Sequence, residues 1–406
     1  MTDFSQLTPD TVIAYLAGRS ALRKNIDASQ VSSVREVGDG NLNLVFIVED
    51  GSGASLVLKQ SLPHVRTDPT WPMTRERSAR EATVLAQHVA ADAQHVPALY
   101  DFDSEHYILA IEDLSDHAVW RNELNSGRVH DYAADELGRL VARTAFATSP
   151  VGLGAVEHKL LIARAVNPEL CEITEDLVFT EPYIEHEHNA VLTANEADVR
   201  AIQGDTALVH EIGLAKFRFM TVAQSLIHGD LHTGSVFVRA ATAEAPPSVR
   251  AFDSEFGFVG PTGFDLGALW ANFVIAAARA EALGSSNRAE RILSLPGRLW
   301  AAFEAEYRAL WPGRIDPRVW NDSVLDSLLA GIRDDAAVFA GAKCIRRVIG
   351  FAKASDLETL EPRLREGAAR GVLQAGRALA LQHGSISSVD ALSAETADTL
   401  RRTATS

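Results

Sequence analysis

His228-Gly229-Asp230-Leu231-His232-Thr233-Gly234-Ser235 is the densest run of chemically capable side chains in the sequence, and Asp253-Ser254-Glu255 follows 23 residues after Asp230. An acid beside a hydroxyl and oxygen ligands for a divalent cation are what phosphoryl transfer requires, because that reaction is catalysed by positioning and by neutralising phosphate charge. Asp230 is the candidate to orient an acceptor hydroxyl and take its proton. Asp253 and Glu255, two apart on an expected strand, would present both carboxylates to one side. The same residues admit a metal-hydrolase reading, with His228, Asp230 and His232 as ligands. They also admit a plainer one, a helix-capping Asp with surface carboxylates. The second carboxylate pair, arriving after an intervening strand, favours phosphoryl transfer.

A nucleotide needs its own grip. Lys59 lies on the third expected strand, with Glu81 22 residues later on an expected helix. A strand lysine held by a helix glutamate can grasp the α- and β-phosphates, although either residue alone reads as a solvated charge. Gly38-Asp39-Gly40-Asn41-Leu42-Asn43 joins the first two strands and could turn backbone N–H groups toward phosphate, without spelling G-x-G-x-x-G. Glu112-Asp113-Leu114 follows the apolar run YILAI, where backbone groups could pair with an adenine edge.

The elements that must hold these residues divide the chain. From Val31 to Ile111, VSSVREV, LVFIVED and SLVLKQ alternate as strands between Gly-rich turns, a helix is expected from about Thr74 to Val89, and HVPALYDF and HYILAIED resume as strands. Beyond Leu114 the pattern is long Ala- and Leu-rich helices. They are broken only at Leu226 to Phe258, which reads as two strands carrying polar loops and joined by ATAEAPPS. The expected organisation is a nucleotide-binding lobe over 1–111, a hinge over 112–117 and a catalytic, substrate-binding lobe over 118–406.

Composition narrows the function classes. The 406 residues carry 54 acidic against 38 basic side chains, a net charge of −16, so a general nucleic-acid or anionic-membrane binder is not expected. At 47% hydrophobic and 23% charged the chain has globular composition. Cys171 and Cys344 stand far apart in no CxxC pair and read as buried small hydrophobes. The N-terminus lacks a basic start with an apolar run, and no stretch approaches 18 apolar residues. A soluble, cytoplasmic protein is expected.

With these residues in view, the chain resembles the methylthioribose kinases, within the aminoglycoside phosphotransferase and choline kinase group, from VGDGNLNLVFIV at Val37 to IRRVIG at Ile345. The wider group usually reads HGDLHPGN. The HGDLHTGS spelling here is similar to the methylthioribose kinases and puts Ser235 where most relatives place a magnesium-binding Asn. Asp253-Ser254-Glu255 matches the family's D-x-E triplet, which stands in place of D-F-G, and Leu58 to Arg66 fits LKQ-x-x-P-x-V-R. TWPMTRERS around Trp71 resembles a loop that covers the sugar, with Ala79 where a second Arg is usual. Lys343-Cys344-Ile345-Arg346-Arg347 resembles paired substrate arginines.

The resemblance implies a two-lobed α+β, protein-kinase-like fold, with a small antiparallel β-rich N-lobe holding one helix and a larger, mainly helical C-lobe. It implies ATP and Mg²⁺, with Asn41, Lys59 and Glu112 to Leu114 at the nucleotide and Asp253 and Glu255 on the metal. Asp230 would be catalytic base and substrate contact, Trp71 and Arg346 would meet the sugar, and Arg347 would lie near the transferred phosphate. The implied reaction phosphorylates 5-methylthioribose at its anomeric hydroxyl for methionine salvage, in a homodimer. Without the family, Arg346 and Arg347 read as surface charges near a helix end and Trp71 as a partly buried aromatic. Three alternatives stay open: a kinase of the same fold for choline, an aminoglycoside, a fructosamine or another sugar; a non-catalytic nucleotide-binding module signalled by Ser235; and the metallohydrolase, which needs more His ligands than a remainder such as Glu185-His186-Glu187-His188 offers.

Overall fold

The computed structural model describes residues 5–38, 42–66, 68–243, 245–385 and 388–404. Its first element, helix α1 (Pro9–Gly18), is not among those expected from the sequence. Thr8 and Thr11 form a capping box, and Pro9 at the first helical turn has a φ already suited to the helix. Val12 and Leu16 on its inner face pack against Phe46, Val48, Leu56 and Leu58 of the sheet.

That sheet has five antiparallel strands, β1 (Val31–Val37), β2 (Asn43–Asp50), β3 (Ser55–Ser61), and, after a small hairpin of β4 (His64–Val65) and β5 (Asp68–Pro72), β6 (Leu99–Asp103) and β7 (Ile108–Glu112), in the order β1-β2-β3-β7-β6. The expected succession of three strands, one helix and two strands is present, and the β4–β5 hairpin is added to it. Strand β3 is central, with Lys59 opposite Val45 on one side and Leu109 on the other. Side chains alternate across a pleat, so Leu56 and Leu58 join the core under α1 while Lys59 turns to the face covered by helix α2 (Arg77–Asp92). Helix α2 begins three residues later than the sequence suggests.

The remainder is mainly helical. The helix Gly263–Ala282 is buried on every side, as expected of one that is apolar all round, and it lies along the helix Asp322–Ile349. A Cβ at Gly267 would come within 2.5 Å of the Ala336 carbonyl oxygen, so only glycine permits the two backbones this approach. Phe264 meets Phe339 edge to face at 5.3 Å beside Phe179 and Phe219, each ring contributing about 1.5–3 kcal/mol by burial. Of the two cysteines, both free, Cys344 is buried as expected and Cys171 is only half-buried. Among the described residues no helix is long and apolar enough to cross a membrane.

The region Leu226 to Phe258 differs from the two expected strands. It forms two ladders, Ser225–Ile227 with Phe258–Gly260 and Val236–Arg239 with Ser248–Ala251, the latter extended by Ala118–Val119. Consequently Asp253 and Glu255 are not on a strand. The chain facing Ala251 turns away into a 3₁₀ turn at Thr233–Ser235, so Phe252 makes one last bond to the Ser235 carbonyl and the ladder ends. Asp253 then adopts a left-handed conformation (φ 69°), followed by a 3₁₀ turn over Ser254–Phe256.

Candidate active site

The loop carrying Asp230 is fixed from behind. The Asp265 carboxylate, in the first turn of Gly263–Ala282, accepts the backbone N–H groups of His228 (2.7 Å) and Gly229 (3.0 Å). Gly229 sits at φ +82°, and a Cβ there would lie 2.1 Å from the Phe256 oxygen, so the residue must be glycine. His228 donates from Nε2 to the Phe252 carbonyl at 2.9 Å, and its Nδ1 faces the Asp230 N–H at 3.4 Å. Ser235 Oγ donates to the Asp230 carbonyl (2.7 Å) and accepts from the His232 N–H (2.9 Å). The hydroxyl at this position is thus used to close the loop.

The Asp230 carboxylate faces Lys343 Nζ at 3.2 Å and His232 Nε2 at 3.3 Å. Burial acts to raise its pKa, but His232, Lys343 and Arg347 outweigh burial and hold it well below the usual carboxylate range. His232 is itself pushed down to about 4, mainly by burial, so at neutral pH it serves as a neutral Nε2–H donor while its Nδ1 accepts from the Gly234 N–H. Burial also pulls Lys343 down to about 8, against the attraction of Asp230. The metal-hydrolase reading of His228, Asp230 and His232 finds no support, because backbone groups or Asp230 engage both rings and the three form no metal-ligand group among the described residues.

Opposite this loop, Lys59 Nζ lies 2.9 Å from Glu81 and also contacts Asp253. Burial alone would depress the ammonium, yet Asp253, Glu81 and Glu255 together push it up. Burial raises Glu81 to about 7 and also raises Glu255, whereas Lys59 outweighs burial at Asp253 and lowers it. Oxygens of Glu81, Asp253 and Glu255 all fall within 4.8 Å of one another, an oxygen-only donor set that suits a hard divalent cation. Ser254 is buried in the turn between the two carboxylates.

Two residues to which the sequence assigned no role of their own support this half. Asn43 donates to Glu255 at 2.8 Å, and the buried Arg77 guanidinium lies 3.8 Å from the same carboxylate while donating to the Leu42, Leu62 and Thr74 carbonyls. Asn41 lies outside the described residues. At the connector, Glu112 exchanges bonds with Ala98 through its N–H and its carboxylate, Asp113 accepts from the Ser115 N–H, and the Leu114 carbonyl accepts from His117. The Leu114 N–H makes no hydrogen bond among the described residues.

Arg346 and Arg347 are not surface charges. Both are buried in the last turn of Asp322–Ile349, both donate to the Ala352 carbonyl (2.7 and 3.0 Å), and burial lowers the pKa of each. Arg121, also absent from the sequence reading, adds a third guanidinium, donating to Asn272 at 2.8 Å and lying 3.2 Å from Asp356. The buried Arg346 Nε has no hydrogen-bond partner among the described residues. Trp71 is half-buried on β5 and packs with Val65, Met73, Leu170 and Phe256, the last residue of the turn that carries Glu255.

The phosphotransferase enzyme family matches residues 33–314. Methylthioribose kinase from Pectobacterium carotovorum is 39% identical over 89% of this chain and 90% of that protein. The Yersinia pseudotuberculosis protein of the same name is 37% identical over 87% and 88%, and that of Klebsiella pneumoniae 36% identical over 97% and 98%. Sustained at that level along nearly the whole length, the likeness shows that the chain belongs to the methylthioribose kinases of the phosphotransferase enzyme family.

Proposed function

We propose that this kinase transfers the γ-phosphoryl group of ATP to the anomeric hydroxyl of 5-methylthioribose, giving ADP and 5-methylthioribose 1-phosphate in methionine salvage. The observation that carries the reading is an ionised Asp230 held between Lys343 and His232, in a chain 39% identical to a methylthioribose kinase. Asp230 accepts the hydroxyl proton at a carboxylate oxygen and orients the attacking oxygen, the larger effect where the proton moves late. Lys59, freed from part of its carboxylate cage, binds the α- and β-phosphates. Asp253 and Glu255 hold Mg²⁺, which supplies neutralisation of phosphate charge. Arg346 meets the sugar and Arg347 the transferred phosphoryl group, the burial of both making their charge effective in low dielectric. Glu112 to His117 acts as the hinge, with the adenine edge against Leu114, and Trp71 covers the acceptor.

Family likeness alone supports a cytoplasmic homodimer, which sedimentation would test. The reaction is tested by ADP release with Mg²⁺-ATP against 5-methylthioribose, ribose, choline, an aminoglycoside, a fructosamine and water. Turnover with methylthioribose alone supports the reading; turnover with another acceptor reassigns the substrate. ATP binding with silence throughout favours a non-catalytic module.

A further inference from the structure

The sequence Glu185-His186-Glu187-His188 plays no part in the site above. It follows a short 3₁₀ turn, Glu181–Tyr183, and its alternation leaves Glu185 and Glu187 exposed while His186 and His188 turn inward toward Glu181. His188 Nδ1 lies 2.9 Å from Glu181 Oε2, and His186 Nδ1 lies 3.6 Å from the same oxygen. The two imidazole rings meet at 4.6 Å between centroids. One ligand atom from each of the three residues fits within 4.8 Å of the others.

We propose that Glu181, His186 and His188 form a second metal site, for a borderline divalent transition-metal ion such as zinc, separate from the carboxylate cluster at Asp253. Two imidazole nitrogens and one carboxylate select such an ion over Mg²⁺, which prefers oxygen alone. Bonds of about 2.0–2.1 Å in tetrahedral geometry put ligand atoms ~3.3 Å apart, and the separations of 2.9 and 3.6 Å bracket that figure. Three protein ligands leave a fourth position open to water, consistent with side chains 30% and 31% exposed at His186 and His188.

The loop is already braced for this. Asn189 Nδ2 donates to the Glu181 carbonyl (2.8 Å) and the Ile184 carbonyl (2.9 Å), and Gln203 Nε2 donates to the Ile184 carbonyl (2.8 Å). The His188 N–H points at His186 Nδ1 from 3.2 Å, a contact the metal would replace at that nitrogen. The Ala190 N–H donates to the Ile349 carbonyl at 3.0 Å, which ties the loop to the end of the helix that carries Arg346 and Arg347. A bound ion would therefore pin the 181–190 segment beside the acceptor arginines.

The test uses untagged full-length protein, stripped with chelator, dialysed, and titrated with Zn²⁺ by calorimetry in excess Mg²⁺ so that the carboxylate cluster is already filled. One equivalent is expected to bind, with affinity falling at least ~10-fold in His186→Ala and in His188→Ala. Co²⁺ in the same site should give visible absorption of a four-coordinate nitrogen and oxygen complex, absent in both variants. Failure of the parent protein to bind Zn²⁺ saturably would leave only a histidine–glutamate hydrogen bond and overturn the proposal. So would one equivalent retained undiminished by both variants, which requires neither to lose its fold at once.

Discussion

Replacing Lys343 by Met removes the only ammonium that contacts Asp230 among the described residues, 3.2 Å from the carboxylate, and keeps an apolar chain against the Phe264 ring, over which the ammonium lies at 4.5 Å. Coulomb's law at an effective dielectric of about 20 gives about 5 kcal/mol for unit charges at this separation. That is an upper bound, because His232 and Arg347 still face the carboxylate. A charge-assisted hydrogen bond contributes about 1.5–3 kcal/mol, which at about 1.4 kcal/mol per decade is a ~10–150-fold loss of kcat/KM. Steady-state ADP release with methylthioribose, from pH 6 to 10, should show this loss with KM for ATP nearly unchanged. The pH profile separates a positioning role from a structural one. Lys343, lowered to about 8 by burial, is charged below that pH and neutral above it, so parent activity should decline as pH rises through about 8. Lys343→Met, already without the charge, should lack that alkaline decline. A variant within twofold of the parent at every pH, or one that keeps the same alkaline limb, would refute the reasoning.

Asp230→Asn should lower turnover at least ~10²-fold with ATP affinity little changed, checked by kinetics beside nucleotide calorimetry; near-normal turnover would remove Asp230 from the base role. Asp253→Asn, which breaks the cluster with Glu81 and Glu255, should abolish Mg²⁺-dependent activity, and full recovery in excess metal would contradict direct ligation. Arg77→Met strands three carbonyl acceptors and Glu255 and should cost about 3–5 kcal/mol. Urea unfolding followed by circular dichroism would measure it, an unchanged midpoint speaking against it.

Much of the fold could be read from the sequence because β1 to β3 are short β-branched and apolar runs set between Gly-rich turns and the later helices are long and apolar-striped. The helix α1 escaped notice because its short stripe, Val12 and Leu16, gains meaning only from the sheet it covers. In the site, Lys59 with Glu81 was legible because a recognisable strand and helix carry them, and Asp253 with Glu255 was legible as a carboxylate pair, though not as a turn. Lys343, Asp265 and Asn43 were given no role of their own, because their partners lie 113, 36 and 212 residues away and no local pattern encodes such pairs. Arg346 and Arg347 mislead for a related reason. Polarity places an arginine at the surface by default, and only the tertiary burial of the helix end reverses that. The expected strand at Asp253 failed where the facing chain turned away.

The close crossing of Gly263–Ala282 and Asp322–Ile349 has a consequence for the order of events. One helix anchors the Asp230 loop through Asp265, and the other carries Lys343, Arg346 and Arg347. With glycine against backbone at their contact, the two helices form one rigid mount. On the proposed assignment, every acceptor residue except the covering Trp71 is then assembled on this mount, whatever the sheet lobe does. The sugar therefore has no need to wait for the nucleotide, and the kinetics should be those of random addition, with either substrate able to enter first.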